Sequence, residues 1–164
     1  LSLVSQALDS DKIERGELSV DATAFNLGQL CDNVVATILP TLEKNGNRLA
    51  VDCPTRGETL VTDRTKVAQI LINLLGNAGK FTRDGTVSLH LRVEKSIADD
   101  RLIAVVSDTG IGIAPSALPK LFEAYIQADA SISKRFGGTG MGLAITRKFC
   151  ALLGGEAVFP PARL

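Results

Sequence analysis

Apolar residues fall along this chain in two periods, one of three to four residues and one of two. Leu3, Val4, Ala7, Leu8 and Ile13 make one side of a helix over residues 1–18, with Gly16 suited to its stop. A short strand is predicted from Val20 to Phe25, and Asn26 can cap a helix over 27–45. Leu27, Leu30, Cys31, Val34, Val35, Ile38, Leu39 and Leu42 keep the helical period there, and Pro40 either kinks this helix or is absorbed on one side. After Asn45-Gly46-Asn47 the period shortens. Leu49, Val51 and Cys53 alternate as a strand, and Leu60-Val61-Thr62 forms another beyond the turn at Pro54 to Gly57.

Asp63 is placed to cap a second long helix over 64–82, with Val67, Ile70, Leu71, Leu74, Leu75 and Ala78 as its core stripe. Asp84-Gly85 then turns the chain into Val87, Leu89, Leu91 and Val93, a strand with Ser88, His90 and Arg92 on its other face. A polar loop over 94–101 leads to the apolar run Leu102 to Val106, read as a buried strand. Residues 114–136 have the composition of a mobile lid with a short helix at Pro119 to Tyr125. A third helix is predicted over 143–153 and a last strand from Glu156 to Phe159.

The second helix carries more than its core stripe. At about 100° per residue, Asn73, Asn77 and Lys80 share a stripe more than a quarter-turn from the apolar one. Asparagine is a poor helix former away from a cap, so two of them four residues apart cost stability without a local return. Amide oxygens can ligate Mg²⁺ and an ammonium suits a phosphate, against the plainer reading of a solvated helix face. At the end of the last apolar run stands Asp108-Thr109-Gly110-Ile111-Gly112-Ile113. Its glycines allow a backbone turn and close approach, and Asp108 can accept hydrogen bonds from a ligand amino group. Gly137-Gly138-Thr139-Gly140-Met141-Gly142 opens the third helix, whose N-terminus welcomes anions. These glycines fit neither G-x-x-x-x-G-K-[S/T] nor G-x-G-x-x-G, since Leu143 stands where the third glycine belongs.

Composition narrows the field. Among 164 residues, eighteen basic side chains balance eighteen acidic ones, so no global positive field argues for nucleic acid or an anionic membrane surface. No apolar run nears the roughly 20 residues needed to span a bilayer. Cys31, Cys53 and Cys150 are odd in number and widely spaced, which reads as free, mostly buried thiols in a reducing compartment. The single histidine, His90, reads as a surface strand residue because no partner adjoins it in sequence.

Taken together, four segments resemble those of one family. Asn73-Leu74-Leu75-Gly76-Asn77-Ala78-Gly79-Lys80-Phe81-Thr82 resembles the N box of sensor histidine kinases, and Asp108-Thr109-Gly110-Ile111-Gly112 the first glycine box. Leu121-Phe122-Glu123 with Gln127 is similar to the F box, and Gly138-Thr139-Gly140-Met141-Gly142-Leu143 to the second glycine box. Asp11 to Leu18 is similar to the segment where the family's dimerisation helix hands over to its catalytic domain.

The resemblance implies an α/β (α+β) two-layer sandwich of the Bergerat type, a mixed sheet covered by helices on one face. Residues 1–18 would be the end of a dimerisation/phosphoacceptor helix and linker, and 19–164 an ATP-binding catalytic domain shortened at its C-terminus. ATP and Mg²⁺ are the implied cofactors. Asp108 would hold the adenine amino group, Asn77 would ligate Mg²⁺, and Asn73 and Lys80 would sit by the phosphates. Lys134 or Arg135 would reach the phosphates from the lid, Phe122 would anchor it, and Gly110, Gly112, Gly138, Gly140 and Gly142 would give backbone access. Ile113, Thr139, Met141 and Leu143 complete the implied nucleotide-binding set, and Asn73, Asn77 and Lys80 the catalytic one. The implied partners are a dimerisation/phosphoacceptor domain of the same homodimeric parent and a response-regulator receiver domain. The implied location is cytoplasmic, in a parent either soluble or membrane-anchored.

Departures from the family pattern shape the expectation. The acceptor histidine lies on an upstream helix in the family, and His90-Leu91-Arg92 on a strand does not match it. This chain is therefore expected to hold ATP without phosphorylating itself. Ala124-Tyr125 replaces the usual Pro-Phe of the F box, and Pro160 to Leu164 stands where the family has a hairpin with a further glycine box. Two other readings stay open. An ATP hydrolase of the same broader fold would need a general-base glutamate one turn before the magnesium asparagine. Asn73 stands there instead, and an amide takes no proton from water. The other is a non-catalytic nucleotide-sensing or interaction module.

Overall fold

The structure, a computed structural model, describes residues 18–97, 99–118, 121–122 and 141–159. The chain divides into two compact units, Asp21–Gly112 and a second that contains Ile113–Leu164.

The first unit runs β1 (Thr23–Asn26), α1 (Leu27–Glu43), β2 (Arg48–Asp52), β3 (Thr59–Thr62), α2 (Arg64–Phe81), β4 (Thr86–Glu94) and β5 (Arg101–Asp108). β1 and β3 pair antiparallel, with the buried Phe25 opposite the buried Leu60. The larger sheet has the order β2-β4-β5 and is mixed: β2 runs parallel to β4, and β5 antiparallel to it. Along β4 the alternation is complete, with Val87, Leu89, Leu91 and Val93 buried and Thr86, Ser88, His90 and Arg92 half-buried on the other face. One face of the sheet therefore meets the core, and α1 and α2 pack there. They bring Leu27, Leu30, Cys31, Val34, Ile38 and Leu42 from α1, and Val67, Ile70, Leu71, Leu75 and Ala78 from α2. Burying one such leucine stabilises the fold by roughly 1.5–3 kcal/mol.

Both predicted caps form. Asn26 Oδ1 accepts from Gln29 N at 3.0 Å, and Asp63 Oδ1 accepts from Lys66 N at 3.0 Å. Asp63 Oδ2 also takes the Lys66 ammonium at 2.6 Å and Asp21 N at 3.0 Å. Burial pushes the Asp63 carboxyl up, but the hydrogen bonds from Lys66 and Asp21 outweigh it and hold it below the usual carboxylate range. Pro40 lies inside α1 on its exposed side, where water can satisfy the carbonyl it deprives, so the helix continues through it.

The details correct several expectations. α1 ends at Glu43 because the chain turns back at once, Asn45 N and Asn47 N both donating to Leu42 O at 3.1 Å. β1 begins at Thr23 instead of Val20. On α2, Leu74 is only half-buried while Gln69 is buried.

The second unit holds α3 (Gly142–Leu152), which buries Ala144, Ile145, Thr146 and Phe149. Glu156 to Phe159 form no strand; the Phe159 ring instead packs on Phe122, with centroids 5.0 Å apart. Gly154 takes φ +78°, a left-handed value that ends α3 as the Gly154-Gly155 pair predicts. Residues 1–17, the expected Pro119–Tyr125 helix apart from Leu121 and Phe122, and Pro160 to Leu164 lie outside the described residues.

Candidate functional site

The site in the first unit is built on the C-terminal half of α2. Asn73, Asn77 and Lys80 are all half-buried there, each about one turn from the next. The Lys80 Nζ lies 4.8 Å from the centroid of the Phe81 ring, and burial pushes its ammonium below the ordinary lysine range. Of the three only Lys80 lies in the last turn of α2, the end that carries partial negative charge and favours cations.

A helix end leaves carbonyls without helical partners. In α2 they are met from outside the helix. Gly79 O accepts from Asn45 Nδ2 and Asn47 Nδ2, both at 3.0 Å, and Phe81 O accepts from Ile111 N at 3.2 Å. Thr82, the C-cap, is extended at φ −113° and ψ 139°, and its carbonyl takes a second Asn47 Nδ2 bond at 2.8 Å. Asn47 Oδ1 in turn accepts from Gly85 N at 3.1 Å. Asn47 is 4% exposed and Thr82 2%, so both sit fully inside this junction.

The Ile111 bond docks the segment after β5 onto the end of α2. That docking is why residue 110 is glycine: a Cβ there would lie 2.2 Å from Phe81 O and 2.7 Å from Thr82 Oγ1. Gly112 has a different reason. Nothing crowds it, but its φ of +71° is left-handed. At the end of β5 stands Asp108, exposed, its Oδ1 accepting from Gly110 N at 2.8 Å and from Thr82 Oγ1 at 3.2 Å. Thr109 locks the register from the other side, its Oγ1 accepting from Thr86 N at 3.0 Å and its N donating to Thr86 O at 3.1 Å. The structure therefore ties the loop of Asp108, Gly110 and Gly112 to the C-terminal end of the helix that carries Asn73, Asn77 and Lys80.

The remaining expected site residues divide by unit. In the second unit Ile113 is exposed, Met141 is buried, Gly142 opens α3 and Leu143 is half-buried. Phe122 packs on Phe159, and the Arg147 guanidinium stands 6.0 Å from its ring centroid. Lys134, Arg135, Gly138, Thr139 and Gly140 lie outside the described residues.

Sequence reasoning missed Asn47 and Thr82 as parts of the site. The only available signal was a second asparagine, Asn47, in a turn that Asn45-Gly46 already supplies. His90 also has an unforeseen neighbour: its Nδ1 lies 2.7 Å from Asp52 Oδ2, directly across the β2–β4 ladder on the exposed face. Burial raises the thiols of Cys31 and Cys53 above the ordinary thiol range. All three cysteines are free, Cys150 being half-buried. Among the described residues no three His, Cys, Asp or Glu side chains gather as a metal site, and no helix is long and apolar enough to cross a membrane.

Comparison with known proteins agrees with this geometry. The sequence model of the family described as "Histidine kinase-, DNA gyrase B-, and HSP90-like ATPase" matches residues 62–162, which holds every residue of the candidate site named above apart from Asn45 and Asn47. The chain belongs to that family. It is similar to the sensor histidine kinase GacS of Pseudomonas protegens, 36% identical over 95% of this chain and 17% of that protein. It is likewise similar to the signal transduction histidine-protein kinase BarA of Escherichia coli K12, 36% identical over 97% of this chain and 18% of the relative. The sensory/regulatory protein RpfC of Xanthomonas campestris is 37% identical over 97% of this chain and 22% of its own length. The chain thus spans about a fifth of the length of these curated relatives. Among solved structures, full-length ShkA in complex with AMPPNP superimposes with a TM-score of 0.74 at 29% identity, over 93% of this chain and 30% of that one. The nucleotide-free catalytic domain of the histidine kinase ThkA shares the fold, with a TM-score of 0.63, 24% identity, and 81% and 82% of the two chains covered.

Proposed function

We propose that this chain is the ATP-binding catalytic domain of a two-component sensor histidine kinase. The observation that carries the reading is Asp108, an exposed carboxylate fixed by Gly110 N and Thr82 Oγ1 at the C-terminal end of the helix that carries the amide and ammonium stripe. A carboxylate accepts and never donates, so it suits an adenine amino group and repels a guanine carbonyl. The donor set fits the rest of the nucleotide. Asn77 offers an amide oxygen to Mg²⁺, while Asn73 and Lys80 offer an N–H donor and a cation to phosphate oxygens. Gly112 and the glycines before α3 give the phosphates backbone access, and Lys134 or Arg135 adds charge from the lid. Bound Mg²⁺–ATP supplies the γ-phosphoryl group and much of the charge neutralisation its transfer needs. The chain's own part is to position and to balance charge, which needs no nucleophile from these residues.

In this reading the acceptor is a histidine on a dimerisation/phosphoacceptor domain of the same homodimeric parent, and the phosphoryl group passes on to a response-regulator receiver domain. The domain works in the cytoplasm. Titration calorimetry with AMPPNP, with and without Mg²⁺, tests the core of the reading. Magnesium-dependent binding in the micromolar range, about −8 kcal/mol, is expected. In Asn77→Ala that magnesium dependence disappears. A folded wild-type chain that binds no nucleotide, or binds it equally well without the metal, overturns the assignment.

A further inference from the structure

We propose that Asn47 is a positioning residue for adenine recognition: its buried amide fixes Thr82, and the Thr82 hydroxyl fixes the Asp108 carboxylate. The inference rests on the reading of Asp108 as the adenine acceptor.

The chain of contacts is short and each link is explicit. Asn47 spends both protons of its amide on carbonyls of the α2 terminus, Gly79 O at 3.0 Å and Thr82 O at 2.8 Å. Its oxygen takes Gly85 N at 3.1 Å, so the same side chain grips the end of the turn that leads into β4. Its partners lie 32 to 38 residues away in sequence. An amide that only closed the α1–β2 turn would bond within that turn, which Asn45 N, Gly46 N and Asn47 N already do through their backbones. The Asn47 side chain is committed elsewhere. At 4% exposure no water competes for it, and a satisfied buried amide of this kind defines one geometry sharply.

That geometry reaches Asp108 through Thr82. A threonine at the end of a helix can turn its hydroxyl back onto a carbonyl one turn earlier. Here the residue is held extended by the Asn47 bond to its carbonyl, and the hydroxyl points instead at Asp108 Oδ1, 3.2 Å away. With Gly110 N on the same oxygen, Oδ1 is anchored by two donors, while Oδ2 accepts no hydrogen bond among the described residues. One oxygen is tied down and the other is presented. Without the Thr82 hydroxyl, Asp108 keeps a single donor and its carboxylate plane is free to swing, which costs most for the ligand that needs a fixed acceptor.

The test measures dissociation constants for AMPPNP and for the corresponding guanine analogue in wild type and in Thr82→Val, Thr82→Ser, Asn47→Ala and Asn47→Ser, together with each melting temperature. Thr82→Val is expected to bind AMPPNP about tenfold more weakly and to lose adenine preference, because a hydrogen bond to a charged acceptor is gone. Thr82→Ser, which keeps the hydroxyl, restores the preference. The folded Asn47 variants lose adenine preference in the same direction, and adding Thr82→Val to either one costs less than it does in wild type, since both act through one contact. Thr82→Val with wild-type preference overturns the proposal. So do Asn47 variants that melt earlier yet keep the preference, or that all fail to fold, since each outcome leaves Asn47 a purely structural residue. If wild type shows no adenine preference, or Asp108→Asn leaves it intact, the reading of Asp108 itself falls and this inference falls with it.

Discussion

An aspartate stands by each end of α2, Asp63 as its N-cap and Asp108 at the end of β5, bonded to the C-cap Thr82, and the two have opposite surroundings. At the N-terminus Asp63 is 3% exposed, with Lys66 N, the Lys66 ammonium and Asp21 N all directed at its two oxygens. At the C-terminus Asp108 is exposed, with two donors on one oxygen. The more deeply buried and more fully bonded carboxylate is Asp63. Asp63 is saturated, and a saturated acceptor has nothing to offer a ligand. Asp108 is oriented but unsaturated, which is what recognition requires. Burial and pairing alone would point to Asp63, the opposite of the proposed reading, although perturbed carboxylates are often a guide to function.

The largest effect that separates the two ends is expected from Gly110→Ala. The added methyl would meet Phe81 O at 2.2 Å and Asp108 Oδ1 at 2.8 Å, and neither can retreat without breaking the junction. Overpacking of this kind costs about 3 kcal/mol of stability. Urea unfolding measures it, and an unchanged midpoint would mean that the segment after β5 is not docked on α2.

Next comes Asp108→Asn. The amide keeps an oxygen for Gly110 N and Thr82 Oγ1 but presents an N–H₂ where the ligand amino group expects an acceptor. Affinity for AMPPNP should fall by about 1–3 kcal/mol while the unfolding midpoint stays in place. Asp63→Ala should do the reverse. It strips the cap from α2 and costs about 1–2 kcal/mol of stability, with nucleotide affinity unchanged in the folded protein. Should Asp63→Ala weaken nucleotide binding as much as Asp108→Asn does, the two ends are not separate in function.

How much of this was legible beforehand follows the reach of each interaction. Asn26 and Asp63 were readable as caps because a cap bonds within three residues of itself, at Gln29 N and Lys66 N. The stripe of Asn73, Asn77 and Lys80 was readable because helix geometry maps sequence spacing directly onto a face. The roles of Asn47 and Thr82 were not, since they depend on which turn folds against which helix end. The same holds for the Asp52–His90 contact, which exists only once β2 and β4 are placed in register. The exchange of Leu74 for Gln69 among the buried positions of α2 reflects a neighbour's shape that periodicity does not carry. Glu156 to Phe159 include the short apolar run Ala157-Val158-Phe159, but such a run pairs nothing by itself, and Phe159 packs on Phe122.

The smallest predicted effect is a pH dependence that belongs to one end of α2 only. The Asp63 carboxyl is held below its ordinary value, so its contribution to stability is fully present above that ordinary value, about pH 4. It is lost as the pH falls further, through the lower value the group has in the folded protein, because protons then bind the unfolded chain more readily than the native one. Asp63→Asn keeps an oxygen for Lys66 N and removes the titration. At pH 7 wild type should be the more stable of the two, through its ion pair with the Lys66 ammonium at 2.6 Å. Below about pH 4 the two unfolding curves should converge. A difference that holds constant from pH 7 to about pH 2.5 would show that the Asp63–Lys66 contact contributes nothing electrostatic to the folded state, and that α2 is capped by hydrogen bonding alone.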